Sequence, residues 1–438
     1  MTIKTPFGHP MRHAHFAFSP TYTPINHGSF GCSPLPVLSH QNHLQTLASA
    51  RPDTFIVRDI PKLIDESRTA IAPFLGVDVD EIVLIPNATT GINTVLRNLK
   101  WEEGDVVVYF STIYGACEKT IASIQEGVMI EGLKIELQYP VEDSEIVRLL
   151  RGGIGKVQSE GKRVRVAMFD TVLTFPGARM PWEELVDVCK EMGVLSLIDG
   201  AHGIGHIDLR HLGKVEPDFF VSNCHKWLFT PRGCAVFYVP FRNQHLIRTP
   251  LPTSHGYQYL DSEPEPISGG KSLFVHLFEF VATMDYSPYA CIPAALDFRQ
   301  RICGGEGAIR NYCYDVARIG GQRVAEILGT EVMATKSRTM NECCFANVEL
   351  PLKFGSTREG HRKTDRVFDI SEAGKIGVWI NDRGVKDHDT YLQIAFHAGK
   401  MWVRLSGQIY LEIKDFEWVG EKVKVLCERV QKGEFRRS

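Results

Sequence analysis

The sequence predicts an α/β protein in which a large domain, built on a seven-stranded and mainly parallel sheet, precedes a smaller α+β domain. Its 438 residues exceed what a single hydrophobic core usually serves. Short β-rich runs alternate with helical stretches from about residue 80 to residue 240, which is typical of βαβ units. Beyond residue 340 the strand-like runs are fewer and mixed with helical ones, which indicates a separate α+β unit.

Seven short apolar runs predict the strands of the large domain because they are rich in β-branched and aromatic residues. They lie at residues 81–85, 106–110, 134–139, 164–170, 195–199, 219–222 and 235–239. Helical patterns separate several of them, at residues 90–99, 144–158 and 182–192. Because a helical crossover joins parallel strands, these spacings predict mainly parallel pairing.

The flanking segments complete the predicted architecture. Helical stretches at 35–50 and 57–74 precede the sheet, and a long helical region at 293–328 follows it. In the small domain we expect strands at 342–350, 376–380 and 401–405, a helix at 416–430 and an exposed loop at 353–375. We expect residues 1–50 to form an arm and a helix that pack on the small domain, 51–300 to form the large domain, and 301–438 to form the small domain.

The composition favours a soluble protein that acts on small molecules. The 49 basic and 52 acidic side chains give a net charge of −3, so no nucleic-acid or membrane partner is expected. We expect no secretory leader and no membrane span, because no apolar run is long enough. The eleven scattered cysteines predict reduced thiols and a cytoplasmic location. None has zinc-ligand spacing, so no metal site is predicted.

Two chemically useful side chains follow buried strands of the predicted sheet. Asp199 ends the strand at 195–199, where open α/β sheets place their ligand crevice, although such an Asp is also a common turn former. Lys226 follows the strand at 219–222, where a lysine is either solvated or able to form a Schiff base. Pyridoxal phosphate needs both groups, an acid for its ring nitrogen and an amine for its aldehyde. Together they therefore favour a cofactor site.

Two further segments fit the same cofactor. Asn87, Ala88, Thr89 and Thr90 follow the first strand and open a helix, so they form either an anion site for a phosphate or a simple N-cap. Tyr114 follows the second strand and is either a stacking ring or a buried structural tyrosine.

Along the chain, the four elements are residues 87–90, Tyr114, Asp199 and Lys226. In this order they resemble the class V aminotransferase superfamily. The resemblance implies the fold of the pyridoxal phosphate-dependent transferases of fold type I, with pyridoxal 5′-phosphate as the cofactor. It implies that Lys226 carries the cofactor as a Schiff base, that Asp199 contacts the ring nitrogen, and that His202 lies near the phenolic oxygen. The positions implied to hold the phosphate are Ala88, Thr89 and His225, with Thr90 in the same motif.

The resemblance extends to the partner subunit and to the substrate. Residues 278–283 resemble the segment whose threonine, here Thr283, reaches the phosphate of a neighbouring subunit, which implies a homodimer. Residues 402–406 resemble the element whose arginine, here Arg404, pairs with the substrate carboxylate, work that suits a bidentate guanidinium. A surface salt bridge is the alternative for Arg404. The implied substrate-binding residues are Asn26, His27, Asn87 and Arg404.

Within the superfamily, residues 26–31, 86–91, 114–117, 199–202, 225–228 and 404–410 resemble isopenicillin-N-epimerase-like proteins, and among those the hercynylcysteine sulfoxide lyases of ergothioneine biosynthesis. This implies β-elimination from a cysteine conjugate or its sulfoxide, which yields a sulfur acid, pyruvate and ammonia. Cysteine desulfurases differ: they stack a histidine where Tyr114 stands, and they carry a cysteine in a loop that here, at 376–403, has none. Cys117, one helical turn after Tyr114, is interpreted either as acting on the released sulfur or as a packing residue.

Two other functions stay open at this level. Related proteins include cyclases and epimerases, which keep the cofactor and change the reaction. A nucleotide-binding or regulatory α/β protein without the cofactor is the alternative from another class. Residues 152–156 are glycine-rich and end in a lysine, but Val157 stands where a phosphate-binding P-loop needs serine or threonine.

Overall fold

The computed structural model describes residues 5–259, 270–355 and 366–436. The strands of the large domain are β1 Ile82–Ile85, β2 Val106–Phe110, β3 Glu131–Ile135, β4 Val164–Asp170, β5 Leu195–Asp199, β6 Phe219–Asn223 and β7 Ala235–Tyr238. They form one seven-stranded sheet in the order β1-β7-β6-β5-β4-β2-β3. Only β7 runs antiparallel to its neighbours in this sheet. The predicted fold class is therefore confirmed.

The helices up to the last strand of this sheet are α1 His9–His15, α2 His27–Phe30, α3 Leu35–Ala50, α4 Pro52–Thr54, α5 Ile60–Leu75, α6 Ala88–Asn98, α7 Gly115–Gln125, α8 Asp143–Ser159, α9 Trp182–Met192, α10 Leu212–Val215 and α11 Cys224–Trp227. They cover both faces of the sheet, so successive residues of a strand enter opposite cores. In β2, for example, Val106, Val108 and Phe110 belong to one hydrophobic core and Val107 and Tyr109 to the other. Because both faces of these strands are buried, nearly every residue in them is apolar, and their sequences are continuous apolar runs.

The helices that follow are α12 Leu273–Glu279, α13 Ser287–Ala290, α14 Ile292–Asp297, α15 Glu306–Leu328, α16 Ala373–His388 and α17 Ile413–Gln431. The predicted helical region at 293–328 is interrupted between α14 and α15. Gly304 and Gly305 have φ angles of 85° and 94° there, which side chains rarely adopt, so the helix breaks at this pair. Among the described residues, no helix is long and apolar enough to cross a membrane.

The small domain contains the strands β8 Phe345–Glu349, β9 Lys353–Phe354, β10 Val367–Phe368, β11 Gln393–His397 and β12 Lys400–Ser406. The antiparallel sheet β11-β12-β8 has β12 at its centre. The helix α15 packs on α17 and on β8. This arrangement places the middle of β12 in a fully buried position, next to the large domain.

Three sequence predictions need correction. The strand expected at 376–380 is the interior of α16, because Ile376, Trp379 and Ile380 are spaced for one helix face and a capping box from Asp369 to Glu372 precedes the helix. The loop expected at 353–375 instead contains β9, β10 and the start of α16 in its described part. Residues 356–365 of that stretch lie outside the described residues. The strand expected at 134–139 lies at Glu131–Ile135.

Candidate active site

Three carboxyl ends of neighbouring strands define the site. The strands β4, β5 and β6 are parallel and end at Asp170, Asp199 and Asn223. Ligands of open α/β sheets bind beyond this edge. The short helix α11 begins directly after β6 and carries Lys226, so the amine and the predicted acid Asp199 stand on adjacent strand ends.

Lys226 faces a histidine and not an acid. Its Nζ lies 3.2 Å from Nε2 of His202. Burial lowers the pKa of the amine from 10.5 to about 8, although the nearby Asp199 opposes this shift. A desolvated lysine with a lowered pKa is a suitable Schiff-base amine and proton acceptor.

The hydrogen bonds of His202 determine its tautomer. Trp227 donates its indole N–H to Nδ1 over 3.1 Å, so the proton of the neutral ring is assigned to Nε2. Burial, reinforced by the charge of Lys226, holds the pKa of His202 well below its usual value. The Nε2–H therefore donates towards the free amine of Lys226. Nε2 also lies 3.3 Å from Oγ1 of Thr174.

A second histidine supports this arrangement from behind. His206 stacks on Trp227 with ring centroids 4.1 Å apart. Its Nδ1 donates to the carbonyl of His202 over 2.8 Å, and its Nε2 accepts from the amide of Cys344 over 2.7 Å. Both nitrogens are thus used within the chain, so His206 holds His202 and Trp227 in place.

Asp199 is buried and accepts one hydrogen bond on each oxygen. The amide of Ala201 donates to Oδ1 over 2.9 Å, and the thiol of Cys117 donates to Oδ2 over 3.3 Å. Burial and the charge of Asp199 raise the pKa of Cys117. The thiol consequently stays protonated, which makes it a hydrogen-bond donor and a poor nucleophile. Cys117 contacts the acid expected to bind the ring nitrogen, and this contact does not support the predicted action on sulfur.

The predicted phosphate segment caps α6. Asn87 accepts the amide of Thr90 on its Oδ1 over 2.9 Å, and the amide of Ala88 donates to Oδ1 of Asn223 over 2.8 Å. The Ala88 amide is therefore already satisfied by the chain. Within the described residues, the Thr89 amide has no such partner, so it is the one left for an anion at this helix N-terminus.

His225 and Tyr114 lie at the same edge of the sheet, and neither forms a hydrogen bond with Lys226 in the described part of the chain. His225 donates from Nδ1 to the carbonyl of Cys234 over 3.0 Å, and burial lowers its pKa to about 4. Tyr114 precedes α7 and leaves 46% of its surface exposed in the single chain. Thr283 is an exposed residue after α12.

Arg404 lies in the middle of β12 and is fully buried. Its Nη1 donates to the carbonyl of Thr174 over 2.5 Å, and its Nη2 donates to Asn26 and to Ser29, each over 3.0 Å. Its Nε has no hydrogen-bond partner in the part of the chain that the structure describes. The guanidinium stands 4.5 Å from the ring centre of Phe345.

No carboxylate among the described residues forms an ion pair with Arg404. Burial lowers the pKa of the guanidinium from 12.5 to about 10. A buried cation without an anion is costly unless a ligand completes it. This arginine is not the surface salt bridge that the sequence left open.

Asn26 and His27 support the site and do not point freely into it. Asn26 accepts from Arg404, as described above. His27 donates from Nε2 to the carbonyl of Lys226 over 2.6 Å and accepts from the hydroxyl of Tyr410 on Nδ1 over 2.8 Å. Both ring nitrogens are used within the chain, so His27 positions the backbone of Lys226, and its contact with a substrate stays a prediction. Gly31, with φ of 67°, allows this loop to pack against the backbone of His225. A side chain at this position would clash, because its Cβ would lie 1.8 Å from the carbonyl oxygen of His225.

Sequence reasoning missed several residues of this site. Thr174, Trp227 and Tyr410 act through contacts with residues far along the chain, which no local pattern reveals. Asp170 had a visible signal, because it ends a buried strand just as Asp199 does.

A separate cluster, formed by His255, His276 and Glu279, places three potential metal-ligand atoms within 4.8 Å of one another. The ammonium of Lys271 already pairs with Glu279 and, over 2.6 Å, with Asp65. A divalent ion at this cluster would have to displace the Lys271 ammonium from Glu279. The described contacts of Glu279 are therefore those of an ion pair.

The sequence and the fold both match known proteins. Residues 46–260 match the family model of the class V aminotransferases. The L-cysteine desulfhydrase-like protein lolT1 of Epichloe uncinata is 38% identical over 450 residues, which covers 98% of each chain. The hercynylcysteine sulfoxide lyase of Schizosaccharomyces pombe is 30% identical and covers 96% of this chain and 98% of its own.

The chain belongs to the class V aminotransferase family. A further relative, the L-cysteine desulfhydrase of Arabidopsis thaliana, is 30% identical to this chain and covers 92% of it and 87% of its own length. A solved structure of the protein C-DES, with glycine covalently linked to its pyridoxal phosphate cofactor, superposes with a TM-score of 0.73 at 20% identity and covers 92% of this chain and 97% of that one. That structure supports the fold. This member of the class V aminotransferase family is an enzyme, and its cofactor is pyridoxal phosphate, as the sequence predicted.

Proposed function

We propose that this protein is a carbon–sulfur lyase that cleaves the Cβ–S bond of a cysteine conjugate or its sulfoxide. One substrate molecule and one water would yield a thiol or sulfenic acid, pyruvate and ammonia. The observation that carries the proposal is the buried Arg404 guanidinium, which has no anionic partner among the described residues. Thr174 bridges it to His202, the neighbour of Lys226. An amino-acid carboxylate bound at Arg404 would bring its α-carbon towards the amine.

The residues present fit pyridoxal phosphate. Lys226 offers an amine with a lowered pKa, and Asp199 offers a buried carboxylate. The Thr89 amide at the start of α6, together with His225, suits the phosphate, and the half-exposed Tyr114 ring suits the ring face. When bound, the cofactor supplies an electron sink for the pair released at the α-carbon.

The roles of the chain's own residues follow from their protonation states. Lys226 takes the α-proton, because an amine with a pKa of about 8 is about one-tenth free base at pH 7, whereas an ordinary lysine is almost fully protonated there. His202 donates its Nε2–H and keeps the amine oriented. The Cβ–S bond then breaks, and sulfur leaves with the bonding electron pair. Arg404 holds the carboxylate during these steps, which limits the movement of the substrate.

Hercynylcysteine sulfoxide is the substrate we propose to test first, because the lyase of Schizosaccharomyces pombe aligns over nearly its full length. L-Cysteine and other cysteine conjugates come next, because several relatives are named cysteine desulfhydrases. We also propose a homodimer in which Thr283 reaches the phosphate site of the other subunit. The exposure of Thr283 and of Tyr114 in the single chain is consistent with this assembly.

The test is a product analysis with the purified holoenzyme. Each sulfur amino acid is added, and pyruvate is followed through lactate dehydrogenase while the sulfur product is identified by mass spectrometry. We expect stoichiometric pyruvate with at least one cysteine-derived substrate and none with the Lys226→Ala variant. Lys156→Ala, at an exposed position of α8, is the matched control and should keep full activity. Turnover that gives an epimer or a cyclised product without pyruvate would contradict the proposal.

A further inference from the structure

Two carboxyl groups lie side by side at the carboxyl edge of the sheet, where the candidate site is. Asp170 and Asp199 end the adjacent parallel strands β4 and β5, and their Cα atoms are partners in the register of the sheet. Side chains at partnered positions of parallel strands leave the same face of the sheet. Their relative exposures are only 4% and 3%. Two buried carboxylates this close do not both carry a charge at neutral pH.

The hydrogen-bond donors are distributed unequally between the two acids. Asp199 accepts from the amide of Ala201 and from the thiol of Cys117. No donor reaches the side chain of Asp170 from the chain segments that the structure covers. Donors stabilise an ionised carboxylate, so the charge settles on Asp199 and the proton on Asp170.

The charged groups that face the pair act on Asp170 in opposite directions, and burial and the charge of Asp199 outweigh the cation. Lys226 from α11 and Arg404 from β12 are the cations of the site, and Cys117 from α7 and His202 stay uncharged. Burial, followed by the charge of Asp199, raises the pKa of Asp170 well above its usual value, and Lys226 only partly opposes this.

We infer that Asp170 is a permanently protonated positioning residue beside an ionised Asp199, so that the pair presents one negative charge to the ring nitrogen of the cofactor. A negative charge on Asp170 would stabilise the ammonium form of Lys226 and raise its pKa. The amine would then be less available as a base. The neutral Asp170 therefore keeps Lys226 available, while Asp199 keeps its contact with the ring nitrogen. This inference rests on the proposed role of Asp199, and it does not depend on which substrate is cleaved.

Infrared spectroscopy tests the proton directly, without substrate. At about pH 8, far above the usual Asp pKa of about 3.9, the wild-type protein should show the carbonyl stretch of a protonated carboxylic acid. The band should be absent from Asp170→Asn and present in the control Asp208→Asn, whose carboxylate pairs with Arg210 and has a pKa of about 2. A wild-type spectrum without this band overturns the inference, whether or not the Asp170 variant folds.

A titration of the apoprotein gives an independent result. The rate at which the apoprotein takes up pyridoxal phosphate should depend on the neutral fraction of Lys226, and its pH midpoint should be the same, within about 0.3 units, in the wild type and in Asp170→Asn. If Asp170 were ionised, its removal would lower the midpoint by about one unit or more. Such a shift would refute the inference, and it would leave the proposed lyase activity untouched.

Discussion

Replacement of Arg404 tests the central claim about the substrate site. A guanidinium has five N–H donors, and the chain uses three of those of Arg404, to Thr174, Asn26 and Ser29. The Nε–H and one Nη1–H remain, and because they lie on different edges of the guanidinium, each can donate a separate hydrogen bond to a substrate carboxylate. Arg404→Lys keeps the charge and changes the donor geometry, and Arg404→Met removes the charge at similar length.

The expected losses of kcat/KM in the two Arg404 variants follow from the burial of the guanidinium. Removal of one partner of a buried charge pair costs about 2 to 5 kcal/mol, so Arg404→Met should lower kcat/KM by about 30-fold to several thousand-fold. Arg404→Lys loses about one charge-assisted hydrogen bond, worth about 1.5 to 3 kcal/mol, or about 10- to 150-fold. The shift of the Arg404 pKa from 12.5 to about 10 corresponds to roughly 3 kcal/mol of burial cost in the empty site.

The same numbers predict a near-neutral effect of Arg404→Met on folding. Removal of the buried charge relieves roughly 3 kcal/mol, and the loss of three charge-assisted hydrogen bonds, at about 1.5 kcal/mol each, costs about 4.5 kcal/mol. The free energy of unfolding should therefore change by no more than about 2 kcal/mol, which urea denaturation measures. A large loss of activity in a variant of unchanged stability would locate the defect in the site.

The decisive assay compares a substrate with its carboxamide analogue in wild type and variant. Wild type should lose most of its kcat/KM when the carboxylate is amidated, and Arg404→Met should lose little more, because the two changes remove the same interaction. The visible absorbance of the bound cofactor should be retained throughout. If the variant and the amide had additive effects, Arg404 would not bind the substrate carboxylate.

Three further outcomes are expected. Lys226→Ala should lack the visible absorbance of the bound cofactor as well as turnover, and a purified variant that stayed yellow and active would contradict the assignment. Because burial lowers the pKa of Lys226, the rate of cofactor uptake by the apoprotein should rise with pH and level off above about pH 8; a rise that continued to pH 10.5 would indicate an ordinary lysine. Cys117→Ser, which keeps a donor to Asp199, should retain most of the activity, and Cys117→Ala should lose about tenfold or more. Equal losses in both Cys117 variants would instead show that the sulfur itself is required.

Local patterns were informative where the physical cause was itself local. The strands that end at Asp170 and Asp199 were identified with their observed bounds, because burial on both faces demands an unbroken apolar run. The segment around residues 376–380 was misassigned, because a five-residue apolar window cannot distinguish a strand from the interior of a helix. The capping box at Asp369 and Glu372 was the sequence signal that would have corrected it.

By itself, the sequence determined the kinds of groups at the site and their order along the chain. An acid and an amine at strand ends follow from residue identity and from the period of the strands, so Asp199 and Lys226 were found without coordinates. Only the tertiary structure decided which groups meet. Cys117 bonds an acid 82 residues away, and Arg404 bonds a carbonyl 230 residues away. Such contacts depend on strand register and on how the two domains pack, and no local stretch of sequence encodes either.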